Sequence, residues 1–167
     1  MNHKKAGGNK YVPATGIKPA NEMLETILNG NRQPQQFQQK PAILVDTLSV
    51  QLCRQEEQTI FVFGDNLIGK GTAGQAAIRY MPNTVGIPTK RLPSMAPNAF
   101  FSDQPDEAYA LLRQLSMLAY IHTQGTQIAF PSAGLGTGMA RMETKSPRLF
   151  NLMNEIIHIT FGIDFRK

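Results

Sequence analysis

A carboxylate and an amide stand side by side in FVFGDNLIGKGTAG, where Asp65 and Asn66 end an apolar run and open a glycine-rich loop. Such a pair suits general-base work: the carboxylate takes a proton while the amide orients a water or a ligand hydroxyl. Asp and Asn also cap tight turns through the adjacent backbone, so Asp65 carries a catalytic and a structural reading at once. A second glycine-rich loop, SAGLGTGMA (132–140), follows a second apolar run. Glycines let backbone N–H groups approach an anion closely, and two such loops can hold the two phosphates of a diphosphate from opposite sides. Lys90 and Arg91 in GIPTKRLP are candidate phosphate contacts at the rim, with plain surface charge as the alternative.

Other chemistries find less support. Read from Gly64, the first loop spells G-x-x-x-x-G-K. A triphosphatase loop then needs a hydroxyl for Mg²⁺, but Gly71 stands there and Thr72 comes one residue late. The later apolar runs lack the Asp that would complete the metal site. Ser132 is not in a G-x-S-x-G elbow, and no Ser-His-Asp set is evident. His3, His122 and His158 are scattered and Cys53 is the only cysteine, so the expectation is no metal, no cofactor and no internal disulfide. His122 falls near a helix C-terminus, where the dipole favours a cation. His158 reads as a packed residue of an apolar helix. Phe100 and Phe101 read either as a core pair or as a lid that stacks on an adenine or ribose face.

These residues need strands and helices to position them. AILVDTLSV (42–50), TIFVFG (59–64), TVGIPT (84–89) and QIAFPSA (127–133) read as strands, TIFVFG being apolar throughout as a strand buried on both faces should be. GTAGQAAIRYM (71–81) reads as a short helix ended by Pro82. A longer helix starts after Ser102 or Asp103, with Pro105 in its first turn and Gly125 at its end. Its apolar stripe is Ala108, Leu111, Leu112, Leu115, Leu118 and Ile121. A last helix begins with a Ser146 cap and Pro147. Strands alternating with helices predict an α/β layered fold with a mainly parallel sheet, and ligands in such folds bind outside the C-terminal strand ends, where both loops lie.

The 167 residues predict one domain, and 41% hydrophobic against 17% charged residues fits a globular chain. No apolar run approaches the roughly 20 residues needed to span a bilayer, and no apolar stretch follows the basic N-terminus, so neither membrane span nor secretory signal is expected. A lone cysteine fits a reducing cytoplasm. The net charge is +5, and residues 1–40 hold six Lys/Arg against two Glu. They read as a basic extension and linker ahead of a domain at 41–167, with a helical patch over Met23–Leu28 and a Gln-rich linker behind it. Such an arm can serve solubility or add contacts to nucleic acid.

In combination, FVFGDN…G.G..G.A…IPTK…FPSAGLGTG resembles the macrodomains, and is especially similar to a divergent macrodomain-like group in bacteria and phages. The resemblance covers roughly residues 59 to 163. It implies a three-layer α/β/α fold with a mixed, mainly parallel sheet that binds ADP-ribose, a derivative, or ADP-ribose attached to a macromolecule. By position, Asn66 matches the asparagine that contacts the distal ribose, and Gly69, Gly71 and Gly74 match the loop beside it. Ser132, Gly134, Gly136, Thr137 and Gly138 fall in the diphosphate loop, with Met139 at an apolar lid position. Asp46 is the candidate for the adenine-contacting Asp. Asp65 replaces the usual small residue before Asn66. The implied activities are recognition alone, or hydrolysis of a 1″-phosphate or an ADP-ribosyl linkage, with Asp65 and Asn66 as the catalytic candidates. A non-catalytic nucleotide- or nucleic-acid-binding module that uses the basic arm stays open as the alternative, as does an interaction protein that keeps the fold without the pocket.

Overall fold

A computed structural model describes residues 39–165, which lie within one compact unit, Phe37–Lys167. The basic arm, the helical patch at 23–28 and most of the Gln-rich linker lie outside the described residues. The elements in chain order are β1 (Ile43–Val45), α1 (Val50–Gln55), β2 (Thr59–Asn66), β3 (Thr84–Lys90), α2 (Pro105–Thr123), β4 (Gln127–Pro131), α3 (Met142–Lys145) and α4 (Pro147–Phe161). Single 3-10 turns occupy Gly74–Ile78, Pro97–Ala99 and Gly138–Ala140. The strands form one sheet in the order β1-β4-β2-β3. Every strand pairing is parallel, so the mixed sheet expected above is not found among the described residues.

Side chains on successive strand residues point to opposite faces, and the two core clusters follow that alternation. Val62, Ile128 and Phe130 pack with Leu111, Leu115 and Leu118 of α2 and with Met153 and Ile157 of α4. Phe61, Phe63 and Ala129 turn to the other face, against Cys53 of α1 and Ile78 of the 3-10 turn. Helical structure therefore covers both faces of the sheet. β2 is the centre of this arrangement, and its buried run carries Asp65 and Asn66 to the sheet's C-terminal edge.

Several local expectations change. The strand expected over 42–50 ends at Val45, because Ser49 accepts a hydrogen bond from the Leu52 amide and starts α1 instead. The helix expected over 71–81 is only the 3-10 turn Gly74–Ile78. α2 is capped by Gln104 and Glu107 in a reciprocal capping box rather than by Ser102 or Asp103. Asp103 instead accepts from the amides of Arg148 and Leu149 and caps α4 from a distance. The expected cap Ser146 precedes α4 but is buried, and its hydroxyl has no partner among the described residues. In the apolar stripe of α2, Leu112 is largely exposed while Leu111, Leu115 and Leu118 are fully buried. Among the described residues no helix is long and apolar enough to cross a membrane.

Candidate functional site

The two glycine loops meet across a cavity of about 530 Å³ at the C-terminal ends of β2, β3 and β4. That volume lies within the range of small-molecule sites, roughly 300–1,000 Å³. The first loop supplies Asp65, Asn66, Gly71 and Gly74, and the second supplies Gly136, Thr137, Gly138 and Met139. A Cβ placed on Gly74 would lie 3.1 Å from the tip of Met139, so the loops close on each other at that point. The amides of Gly71, Ala73, Thr137 and Gly138 donate to no protein group among the described residues. Each of these residues lines the cavity.

Side chains that the sequence did not single out hold the loops open. Gln75 accepts from the Gly64 amide at 2.8 Å and donates to the Gly134 carbonyl at 2.8 Å, bridging the end of β2 to the second loop. Arg79 reaches the carbonyl of Gly71 at 2.7 Å through Nε and pairs with the Asp65 carboxylate through Nη1 at 2.6 Å. Both groups are largely buried, with side-chain exposures of 7% for Arg79 and 15% for Asp65. Asn66 donates through Nδ2 to the Lys70 carbonyl at 2.7 Å and receives the Lys70 amide at 3.3 Å, closing the loop on itself. Both candidate catalysts thus line the cavity with their polar atoms committed to loop structure. The only sequence signal for these stitches was the polar pair Gln75 and Arg79 inside a Gly/Ala-rich run.

Lys90 and Arg91, adjacent in sequence, separate completely. Arg91 donates to Glu107 at 2.7 Å and pairs with Asp106 at 2.9 Å, fastening the start of α2. Asp106, then burial, then Glu107 act on its guanidinium, with a net rise in pKa, and Arg91 in turn lowers that of Asp106. Arg91 is therefore a structural residue rather than a phosphate contact. Lys90 is buried at 8% exposure, lines the cavity, and among the described residues its ammonium donates only to the thioether of Met95 at 3.4 Å. Its Nζ sits 4.6 Å from the centre of the Phe100 ring. Burial, then the charge of Arg141, push this ammonium below its ordinary value.

The remaining candidates scatter. Asp46 is exposed in the bend after β1 and lines neither cavity, because β1 ends too early to carry it inward. Gly69 turns the first loop, its amide on the Asn66 carbonyl at 3.0 Å, without reaching the cavity wall. Ser132 and Gly134 line a second cavity of about 370 Å³ on the far side of the second loop, with Leu44, Phe150, Asn154 and Phe165. Ala133 and Thr137 belong to both walls. Asn154 is 3% exposed and its Oδ1 has no hydrogen-bond partner among the described residues. Phe101 is a core residue at 1% exposure, so it is no lid.

His122 is buried with Nε2 on the Lys40 carbonyl and Nδ1 facing the Gln39 amide, both at 2.8 Å. Both ring nitrogens thus tie the end of α2 to the segment ahead of β1. His158 is exposed, not packed. Burial raises the Cys53 thiol, which marks a packing residue.

No curated protein and no solved structure matches the chain. Residues 43–156, which include both loops and all four strands, match the model of a family of unknown function, DUF7831, and the chain belongs to that family.

Proposed function

We infer that this protein recognises ADP-ribose or a close derivative, free or attached to a macromolecule, through a macrodomain-like site. The observation that carries the reading is the pair of glycine loops, which line one cavity from two strand ends with amides of both loops undonated to protein. Backbone donors converging on one cavity from two loops suit a diphosphate. The second loop also separates two cavities, as a ligand with a diphosphate between two larger groups requires. The distal ribose goes to the Asn66 side. The nucleoside goes to the side of Phe150 and Phe165, where a ring can stack and the orphan Asn154 carbonyl can accept a base N–H.

Recognition ranks ahead of hydrolysis. Arg79 holds both oxygens of Asp65, so the carboxylate is committed to the loop rather than turned to a bound water or hydroxyl. Turnover of a 1″-phosphate or an ADP-ribosyl linkage requires ligand to draw Asp65 or Asn66 away from these partners. The test is calorimetric titration with ADP-ribose, with AMP and ATP as controls, on wild type and Gly138→Ala. A Cβ at Gly138 meets no atom within 4 Å, so this change intrudes on the ligand more than on the protein. Selective ADP-ribose binding, weakened at least about tenfold by the alanine, is the expected result. ATP bound as well as ADP-ribose, or neither bound, would overturn the reading.

A further inference from the structure

Three cations gather around one buried aromatic ring beside the cavity. The Lys90 ammonium lies 4.6 Å from the centre of Phe100, the Lys145 ammonium 5.5 Å and the Arg141 guanidinium 5.9 Å. None of the ion pairs among the described residues involves any of them. A ring face attracts one cation usefully, but it does not neutralise three that repel one another. Lys90 is the most exposed to this cost: it is more than nine-tenths buried, and of its three donors one is spent on a thioether, a weak acceptor. Arg141, which directly follows the 3-10 turn of the second loop, adopts a left-handed backbone at φ 51° that a non-glycine residue takes only when its surroundings impose it. A buried ammonium lining a cavity outside every ion pair among the described residues, with two more cations converging on the same ring, suits an anion.

We propose that Lys90, on the cavity wall, forms with Arg141 and Lys145 beside the Phe100 ring a third anion position at the edge of this cavity, separate from the diphosphate loops, which takes a phosphate monoester at the ligand's distal end. The sheet register fixes which end. Lys90 stands opposite Asn66, the residue assigned to the distal ribose, and away from the second cavity. A monoester dianion offers three acceptor oxygens and close to two charges, which matches three cations better than a single carboxylate would. The assignment of the ligand's end rests on the ADP-ribose reading; the anion position itself does not.

The experiment therefore has two arms on the full chain. In the first, inorganic phosphate is titrated at constant ionic strength while thermal unfolding is followed, in wild type, Lys90→Met and Lys145→Met. A saturable rise in Tm for wild type, absent in Lys90→Met and reduced in Lys145→Met, supports the site. No saturable rise, or the same rise in all three proteins, overturns it whatever ADP-ribose does. Lys145 is exposed, so its variant folds even if the loss of Lys90 disturbs packing. In the second arm, ADP-ribose and ADP-ribose 1″-phosphate are compared by calorimetry. The phosphorylated ligand is expected to bind at least about tenfold more tightly, and Lys90→Met should remove that gain. Equal affinities in wild type would overturn the distal placement, and binding of neither would sink the ADP-ribose reading while leaving the first arm to decide the anion position.

Discussion

At the end of β2 the charge of Asp65 is met by Arg79, which closes on it from the following turn and also holds the loop backbone. One strand away, at the end of β3, Lys90 lines the same cavity with no carboxylate to meet it among the described residues. Both charges are largely removed from water, so both carry a desolvation cost. At Asp65 the protein offsets that cost within itself, and the result is a fixed loop. At Lys90 it does not, and the cost stands until an anion arrives. The difference separates a charge that builds the site from a charge that waits for a ligand. The neighbours Lys90 and Arg91 repeat it within a single dipeptide.

The largest effect should come from breaking the balanced end. Arg79→Met leaves the largely buried Asp65 carboxylate without its counter-ion, the Asn66 amide alone still donating to it among the described residues, and frees the carbonyl of Gly71. A loss of about 3 kcal/mol is expected in urea unfolding. The double variant Asp65→Leu with Arg79→Met should recover part of it, because no unpaired charge then remains. If Arg79→Met cost nothing while Lys90→Met were strongly destabilising, the comparison between the two strand ends would be reversed.

The glycines of the second loop sharpen the same contrast between frame and ligand surface. Gly136 has φ 76°, and a Cβ there would lie 2.5 Å from the sulfur of Met142, in the core. Gly136→Ala should therefore cost about 2 kcal/mol, from strain and from crowding together. Gly138 has φ 56° with open space around it, and its alanine variant should cost only about 1 kcal/mol of backbone strain. A larger stability loss at Gly138 than at Gly136, measured by the same unfolding curves, would mean that the loop faces the other way.

What could be read from the sequence follows from how local each signal was. β2, β4, α2 and α4 announce themselves by apolar runs and helical spacing, and the glycines mark both loops. α1 was hidden because LVDTLSV alternates well enough to pass for a strand, and only the Ser49 cap distinguishes it. Asp103 misled for a similar reason: it sits where an α2 cap belongs, yet it caps α4, whose amides lie 45 and 46 residues away. The site itself divides likewise. Loop residues were legible as types, whereas the roles of Gln75 and Lys90 depend on partners 59 residues away for the first and on missing partners for the second. No pattern in a single chain reports the absence of a carboxylate in three dimensions.

Gln75→Leu keeps the size of the side chain and removes both hydrogen bonds that tie β2 to the second loop. Leaving the Gly64 amide and the Gly134 carbonyl without that partner should cost about 1.5 kcal/mol. The same change should weaken ligand binding more than it weakens the fold, because it loosens one loop against the other. An unaltered affinity would show that the loops hold their spacing without the bridge.

The smallest effect is expected at the unbalanced end, and its sign is the informative part. Lys90→Met exchanges an uncompensated buried ammonium for an apolar side chain of similar length, so the ligand-free protein should be unchanged or more stable by on the order of 1 kcal/mol. The pH dependence should agree. The folded-state pKa of Lys90 is depressed below its ordinary 10.5, so the unfolded chain holds this proton more firmly than the folded one. Stability should then rise with pH across the interval just below 10.5, as the folded protein sheds the proton that disfavours it. In Lys90→Met that component of the rise should disappear, and in wild type saturated with phosphate it should shrink, because an anion restores the pKa of the ammonium it pairs with. A variant that is less stable than wild type without ligand, with its pH profile unchanged, would mean that Phe100 already compensates the charge.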